Sequence, residues 1–243
     1  RDVAVTGVQT CALPISLIRK SLHAAALEAQ AGDALIVAQK IVSKAEGRDV
    51  DLATVTPTPE ALELATRVRK DPRFVQLVLD ESTQVLRAVP NILITRHRAG
   101  YVMANAGIDR SNMPGATEQG GRVLLLPLDC DASARRLSQA LGGLPVVISD
   151  SFGRPWRQGV VNVALGVAGL PAIVDLRGTA DREGRIMQTS QLALADAVAA
   201  GAGLVMGEGR EGTPVVHVRG LDISAPLTDG RALLRPLEED LFS

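Results

Sequence analysis

The chain has 243 residues, 46% of them hydrophobic and 22% charged, a composition that folds as a soluble globular domain instead of staying disordered. A formal net charge of −1 excludes a basic footprint for nucleic acid or for a membrane surface, so any bound anion must be met by a local site. No apolar run approaches the ~20 residues of a membrane span, and Cys11 and Cys130 alone cannot build a disulfide framework or a paired-cysteine zinc site, which points to a reducing, cytoplasmic setting.

Aromatic residues make up 2% of the chain, so the core must be built from Ala, Val, Leu and Ile. Val5 to Ile15 reads VTGVQTCALPI and resembles the translation of a sequencing adapter. A native strand is the alternative; a signal peptide is disfavoured because its apolar stretch is missing. Residues 1–16, Cys11 among them, are therefore set outside the fold, and residues 17–243 are read as the domain. Apolar spacing predicts a helix over Leu17 to Gln30, then punctuation at Gly32-Asp33 and a short strand at Ala34 to Val37. Ser43 to Asp51 reads as a polar loop. Thr58 and Pro59 open a helix to about Lys70, and Asp71-Pro72 opens another that carries Phe74, Val75, Val78, Leu79 and Val85. Asn91 to His97 and Tyr101 to Ala104 flank Arg98-Ala99-Gly100 as a hairpin. Val123 to Leu126 is a strand, Asp131 caps a helix ending near Leu141, and Val146 to Ser149 is an apolar strand ending on Asp150. Val160 to Val167 and Val215 to Val218 complete the strands, with an Ala-rich helix over Ser190 to Ala202. Helices and strands mixed without strict βαβ alternation, plus an antiparallel hairpin, indicate an α+β fold with mixed sheets. The length leaves room for two lobes, although no shift in composition marks a boundary.

Four segments between these elements carry more chemistry than connections need. Asn105-Ala106-Gly107-Ile108-Asp109-Arg110-Ser111-Asn112 follows the hairpin; Asp109 could hold a hard cation and Asn112 could bond a nucleotide, though the same residue types also make ordinary turns. Asp150-Ser151-Phe152-Gly153-Arg154-Pro155-Trp156-Arg157 puts a carboxylate at the exit of an apolar strand, with Arg154 and Arg157 able to meet carboxylate or phosphate through paired donors. Gly207-Glu208-Gly209-Arg210-Glu211-Gly212 matches a dinucleotide fingerprint in letters alone, because that motif must follow a strand and open a helix. Here a helix precedes and a strand follows, so the glycines serve close approach of backbone amides to phosphate, or a helix end and turn. Gln39 to Gly47 brings Lys40 and Lys44 near a polyphosphate, or simply to solvent.

Other chemistries are excluded. The chain has no G-x-x-x-x-G-K-[ST] loop, no H-E-x-x-H pair among His23, His97 and His217, and no G-x-S-x-G elbow. Asp109, Asp150 and Glu208 form an all-oxygen set that suits Mg²⁺ or Mn²⁺ bridging phosphates.

On VAQKIVSKAEGR, NAGIDRSN, LDCDASARR, SDSFGRPWRQG, LVMGEG and PVVHVRGL, in that order from about Asp33 to Leu221, the sequence resembles the coenzyme F420-0:L-glutamate ligase family, or gamma-glutamyl ligases. The resemblance implies a family-specific α+β fold, a homodimer, and GTP as co-substrate with two divalent cations, Mg²⁺ or Mn²⁺, and K⁺ as a further candidate. By the same resemblance Asp109 and Asp150 look like ligands of one metal, and Ser151 and Glu208 like ligands of the second. Gln39, Lys40, Lys44, Asn112 and the loop Met206, Gly207, Glu208, Gly209, Arg210, Glu211, Gly212, Thr213 look like GTP contacts. Ser151 stands where the family has Thr and keeps the hydroxyl; Cys130 replaces a proline, Glu183 a tyrosine, and the family's N-terminal Gly-Leu-Pro segment is absent. The implied reaction uses F420-0 and L-glutamate as substrates, through an acyl phosphate and without a protein nucleophile. Arg154 or Arg157 would recognise the acidic tail of the precursor. The competing readings are a metal-dependent nucleotide phosphohydrolase on the same carboxylates and a non-catalytic GTP-binding module.

Overall fold

The computed structural model describes residues 13–24, 28–110 and 121–240. Helix α1 (Leu13–Ala24) precedes β1 (Ala34–Ala38), α2 (Gln39–Ala45) and β2 (Asp49–Asp51). Helices α3 (Pro59–Val68) and α4 (Pro72–Asp80) lead to strands β3 (Ser82–Val89), β4 (Ile92–His97), β5 (Val102–Ala104) and β6 (Arg122–Leu124). Then come α5 (Cys130–Ala140), β7 (Val146–Arg154), β8 (Arg157–Ala168), the short β9 (Val174–Asp175) and β10 (Gln191–Leu192), α6 (Leu194–Met206) and β11 (Val215–Val218).

The central sheet has the order β11-β1-β7-β8, with β1 parallel to β7 and antiparallel to β11. Strand β1 and the first half of β7 are apolar on both faces because both faces are covered there. Ala34, Ile36, Val147 and Ala164 pack on Ala195, Val198, Ala199 and Ala202 of α6, whereas Leu35, Val37, Val146 and Ile148 pack on Ala134 and Leu137 of α5 and Ile18 of α1. A separate three-stranded sheet, β3-β4-β5, belongs to a second packing centre in which Leu64, Val68, Phe74 and Val78 of α3 and α4 meet Leu93 and Ile108. Parallel and antiparallel pairings with separate helices make the fold α+β, as expected.

Several boundaries depart from the sequence expectations, each for a local reason. Helix α1 starts at Leu13, four residues before Leu17 and inside the segment set aside, with Ile15 packed on the core. Val85 sits on a strand: Glu81 closes α4, and Ser82 onward pairs with β4. Asp129, not Asp131, caps α5 by accepting from the Ala132 N–H at 2.8 Å. Asp131 turns inward, where its Oδ1 accepts from the N–H groups of Val167 and Gly230, each at 2.8 Å. The Ala-rich helix lies further along, at Leu194–Met206.

Two of the four polar segments are not loops. Gln39–Ala45 is helix α2, and β7 continues past Asp150 to Arg154, pairing with β8 as far as Arg154 opposite Arg157. Strand β7 outruns the main core, so apart from Phe152, which packs near Tyr101 and Leu126, its later side chains are polar or small while its backbone stays in the ladder.

Candidate active site

The carboxyl ends of β1 and β7 lie side by side, with Ala38 in register with Ser149. Ligand sites in sheets with parallel strands gather outside such ends. Strand β1 passes directly into α2, so Lys40 stands beside Asp150 on the neighbouring strand. A register shift between Ile148 and Ser149 interrupts the β7–β8 ladder here, the kind of bulge that re-aims side chains next to sites.

Asp109 reaches this place from the other packing centre. Its backbone forms a bridge with Leu124, its N–H donating to the Leu124 carbonyl at 2.9 Å and its carbonyl accepting from the Leu124 N–H at 2.8 Å. Its side chain meets the Lys40 ammonium, Oδ2 to Nζ, at 2.5 Å. Just before it, Asn105, Ala106 and Gly107 all hold positive φ, of 53°, 52° and 70°. For the two non-glycine residues this costs on the order of 1–2 kcal/mol each, a strain of the kind that collects at functional loops.

Asp150 is half-buried, and its pKa is pushed up to about 7. Burial is the largest cause, and the negative charges of Asp109 and Glu208 add to it, against the Ser151 N–H and Lys40, which pull it down. Asp109, Lys40 and Glu208 thus all act on Asp150 through space. Ser151 pairs with Asn162, and residues directly opposite on antiparallel strands share a face. Asn162 donates to the Met206 sulfur at 3.7 Å, so that face is the one covered by α6, whose end runs into Glu208. Asp150, one residue earlier, projects to the other face.

The Met206–Thr213 loop leaves α6 at Gly207 (φ 69°), where Glu211 folds back and accepts from the Gly209 N–H at 2.7 Å. Gln39 is buried and accepts from the Ser43 hydroxyl at 2.8 Å, while Lys44, one helical turn from Lys40, is exposed. Asn112 lies outside the described residues. Arg154 and Arg157 are drawn together at the β7–β8 hairpin end, roughly 13 Å along the strand from Asp150 at about 3.3 Å per residue. There Arg154 donates to the Gln158 carbonyl at 3.1 Å and Trp156 is exposed.

The donors here are carboxylate and hydroxyl oxygens, the set expected for Mg²⁺ or Mn²⁺. The Lys40 ammonium already occupies one carboxylate as a positive stand-in, and the Ser149 hydroxyl beside Asp150 is buried with no hydrogen-bond partner among the described residues. Among the described residues no group of three His, Cys, Asp or Glu side chains is drawn together into a ready-made metal cluster. The residues therefore fit cations that bring their own phosphate ligands, better than a closed structural site.

The pattern of residues matches a known family over residues 14–220: the model described as F420-0:Gamma-glutamyl ligase. The chain belongs to this family. It is 45% identical over 218 residues to the coenzyme F420:L-glutamate ligase of Methanothermobacter thermautotrophicus, covering 87% of this chain and 84% of that protein. With the protein of the same name from Methanocaldococcus jannaschii it shares 38% identity over 251 residues, covering 100% of this chain and 97% of the relative. The Natronomonas pharaonis ligase is 49% identical over 215 residues, 86% of this chain and 81% of its own length.

Sequence reasoning passed over two side chains near this centre, Lys70 and Asn162. Lys70 stands at the corner between α3 and α4 and, with Asn105 and Arg110, lines a pocket ending at Asp109. Asn162 read as part of an apolar strand; a lone amide in such a run, opposite Ser151, was the available signal.

Proposed function

We propose that this gamma-glutamyl ligase family member joins L-glutamate by a γ-linked amide to coenzyme F420-0, with GTP driving the reaction. The observation that carries this reading is the Lys40–Asp109 ion pair beside Asp150 at the carboxyl ends of β1 and β7, with the Asp150 carboxyl responding to the charges of Lys40, Asp109 and Glu208. The names of its relatives supply the substrate class.

A terminal carboxylate oxygen of the precursor attacks the γ-phosphorus of GTP, the bond to the β-phosphate oxygen breaks, and GDP leaves. The amine of L-glutamate then attacks the carbonyl carbon of the acyl phosphate, loses a proton, and expels inorganic phosphate. Such transfer needs alignment and neutralised charge, and no protein nucleophile. Asp109 and Asp150 would hold one divalent cation and Ser151 and Glu208 a second, which would supply charge neutralisation for the phosphoryl group. Lys40 and Lys44 present positive charge on successive turns of α2, and the Gly207–Gly212 loop lets backbone amides approach phosphate oxygens.

A second copy of the chain is the proposed partner. Leu204 and Val205 on α6 are exposed beside an apolar groove lined by Ala197, Gly201, Val205, Val216 and Leu221. No helix among the described residues is long and apolar enough to cross a membrane; the proposed setting of the reaction is the cytoplasm.

The test is incubation of the chain, with the family's N-terminal Gly-Leu-Pro segment restored, with F420-0, GTP, L-glutamate and Mn²⁺, followed by mass spectrometry. A product heavier by one glutamyl unit, with GDP formed only when both co-substrates are present, supports the ligase. GDP release without them identifies a phosphohydrolase, and GTP binding without turnover a binding module.

A further inference from the structure

A pocket of about 270 Å³ opens beside Asp109, lined by Lys70, Phe74, Asn105, Ile108, Asp109 and Arg110. Its volume lies just below the ~300–1,000 Å³ of sites that take drug-sized ligands, a size that suits a single amino acid. The walls are chemically sorted. Lys70 comes from the α3–α4 corner, where Arg69 turns into the left-handed region and Asp71 caps α4. Arg110 approaches from the connection after β5, its guanidinium 5.4 Å from the centre of the Phe74 ring, which fixes the cation against an aromatic face. Opposite charge and acceptors come from Asp109 and Asn105, whose carboxamide oxygen is buried without a donor among the described residues.

We infer that this pocket is the subsite for the amino-acid co-substrate, L-glutamate. The inference rests on the ligase reading above. Lys70 and Arg110 meet the carboxylates of the amino acid, and the Asp109 and Asn105 oxygens face its amine. A bound phosphate would satisfy the two cations but not the acceptors, and its charge would oppose that of Asp109. A dicarboxylic amino acid satisfies both sets. The position follows the chemistry as well, since Asp109 belongs at once to this pocket and to the Lys40–Asp150 centre where the acyl group is activated. Burial and the Arg110 charge press the Lys70 pKa below its ordinary value, a shift that a bound carboxylate beside the two cations would offset.

The test compares Lys70→Met and Arg110→Gln with the unaltered chain in steady-state kinetics, each substrate varied in turn. The KM for L-glutamate should rise at least about tenfold, the scale of losing one charge-assisted contact, while the KM for GTP stays within about threefold. An unchanged glutamate KM in both folded variants, or an equal rise for GTP, overturns the subsite and leaves the ligase intact. If the folded chain with its N-terminal segment restored forms no product, the ligase reading itself has failed. Calorimetric titration of L-glutamate and of inorganic phosphate then decides the pocket separately. Glutamate binding weakened by Lys70→Met supports it; equal binding, no binding, or loss of phosphate binding alone overturns it.

Discussion

The Lys40 ammonium and the Asp109 carboxylate meet at 2.5 Å across two packing centres, one at the end of β1 and the other ahead of β6. The pair is one-third to one-fifth exposed, so its own worth to the fold is about 0–1 kcal/mol. On the proposed reading, the Lys40 ammonium stands where a divalent cation would meet Asp109. Asp109→Asn should therefore raise the Mn²⁺ concentration for half-maximal turnover at least about tenfold, the range seen when a metal site loses one supporting group. The melting temperature should move by no more than about 2–4 °C, the equivalent of 1 kcal/mol in a chain of this size. A large thermal shift with unchanged metal dependence would make the pair a structural tie.

Asp150→Asn should lower turnover by about a hundredfold or more, because each 1.36 kcal/mol of lost charge stabilisation is a factor of ten. Melting should stay level or rise. Burial and two neighbouring carboxylates disfavour the charged form of Asp150, and the amide removes that charge without removing the shape. Retained turnover in a folded variant would take Asp150 out of the site.

The sequence displayed the central sheet well and its rim poorly. Ala34 to Val37 and Val146 to Ser149 are covered on both faces, so they show as unbroken apolar runs. Helix α2 was hidden because Ala38 offers no capping side chain and the helix has seven residues, too few to display a period. The far half of β7 was hidden because Ser151, Gly153 and Arg154 read as turn residues while the ladder with β8 continues through them. Asp109, Asp150 and Glu208 could be singled out as acidic side chains next to apolar strands or glycines, a local property. The Lys70–Arg110 pocket could not, because it exists only where the α3–α4 corner meets the connection after β5.

A pH dependence should come from the opposite end of the central sheet. Asp33 is fully buried, its oxygens accepting from Arg219 Nε and an Arg219 terminal nitrogen at 2.9 Å each and from the Gln30 N–H at 2.9 Å, with His217 Nε2 at 3.1 Å. The Arg219 hydrogen bonds hold its carboxyl well below the ordinary carboxylate range, against the opposing effect of burial. The unfolded chain thus binds the proton first as pH falls. The stabilisation is fully present above an unfolded pKa of about 3.9 and is lost on acidification below it. Asp33→Asn should melt lower than the unaltered chain at pH 7, with the gap narrowing below about pH 4; melting curves across that range check it. A gap independent of pH would assign the loss to packing alone.

Leu204 is 89% exposed and Val205 58%, next to the α6–β11 groove. If a second copy covers this face, Leu204→Glu should convert a dimer to a monomer in sedimentation velocity, because burying an unpaired carboxylate costs several kcal/mol. An unchanged dimer would move the interface elsewhere on the surface.

Two glycines in α6 should respond in opposite directions to the same substitution. A Cβ at Gly201 meets nothing within 4 Å, so Gly201→Ala gains the helix preference of alanine, about 1 kcal/mol. A Cβ at Gly203 would lie 2.9 Å from Asn162 Cγ and 3.0 Å from its Oδ1, and Asn162 is itself engaged with Met206. Overpacking of that kind costs about 1–3 kcal/mol, which exceeds the helix gain. Gly203→Ala should melt lower, and because it lifts the last turn of α6 off β8 it should also shift Glu208 relative to Asp150. Its half-saturating GTP concentration should therefore rise, whereas Gly201→Ala should leave it unchanged. Equal melting shifts in the two variants, or an unaltered GTP response in Gly203→Ala, would separate the packing of α6 from the chemistry at its end.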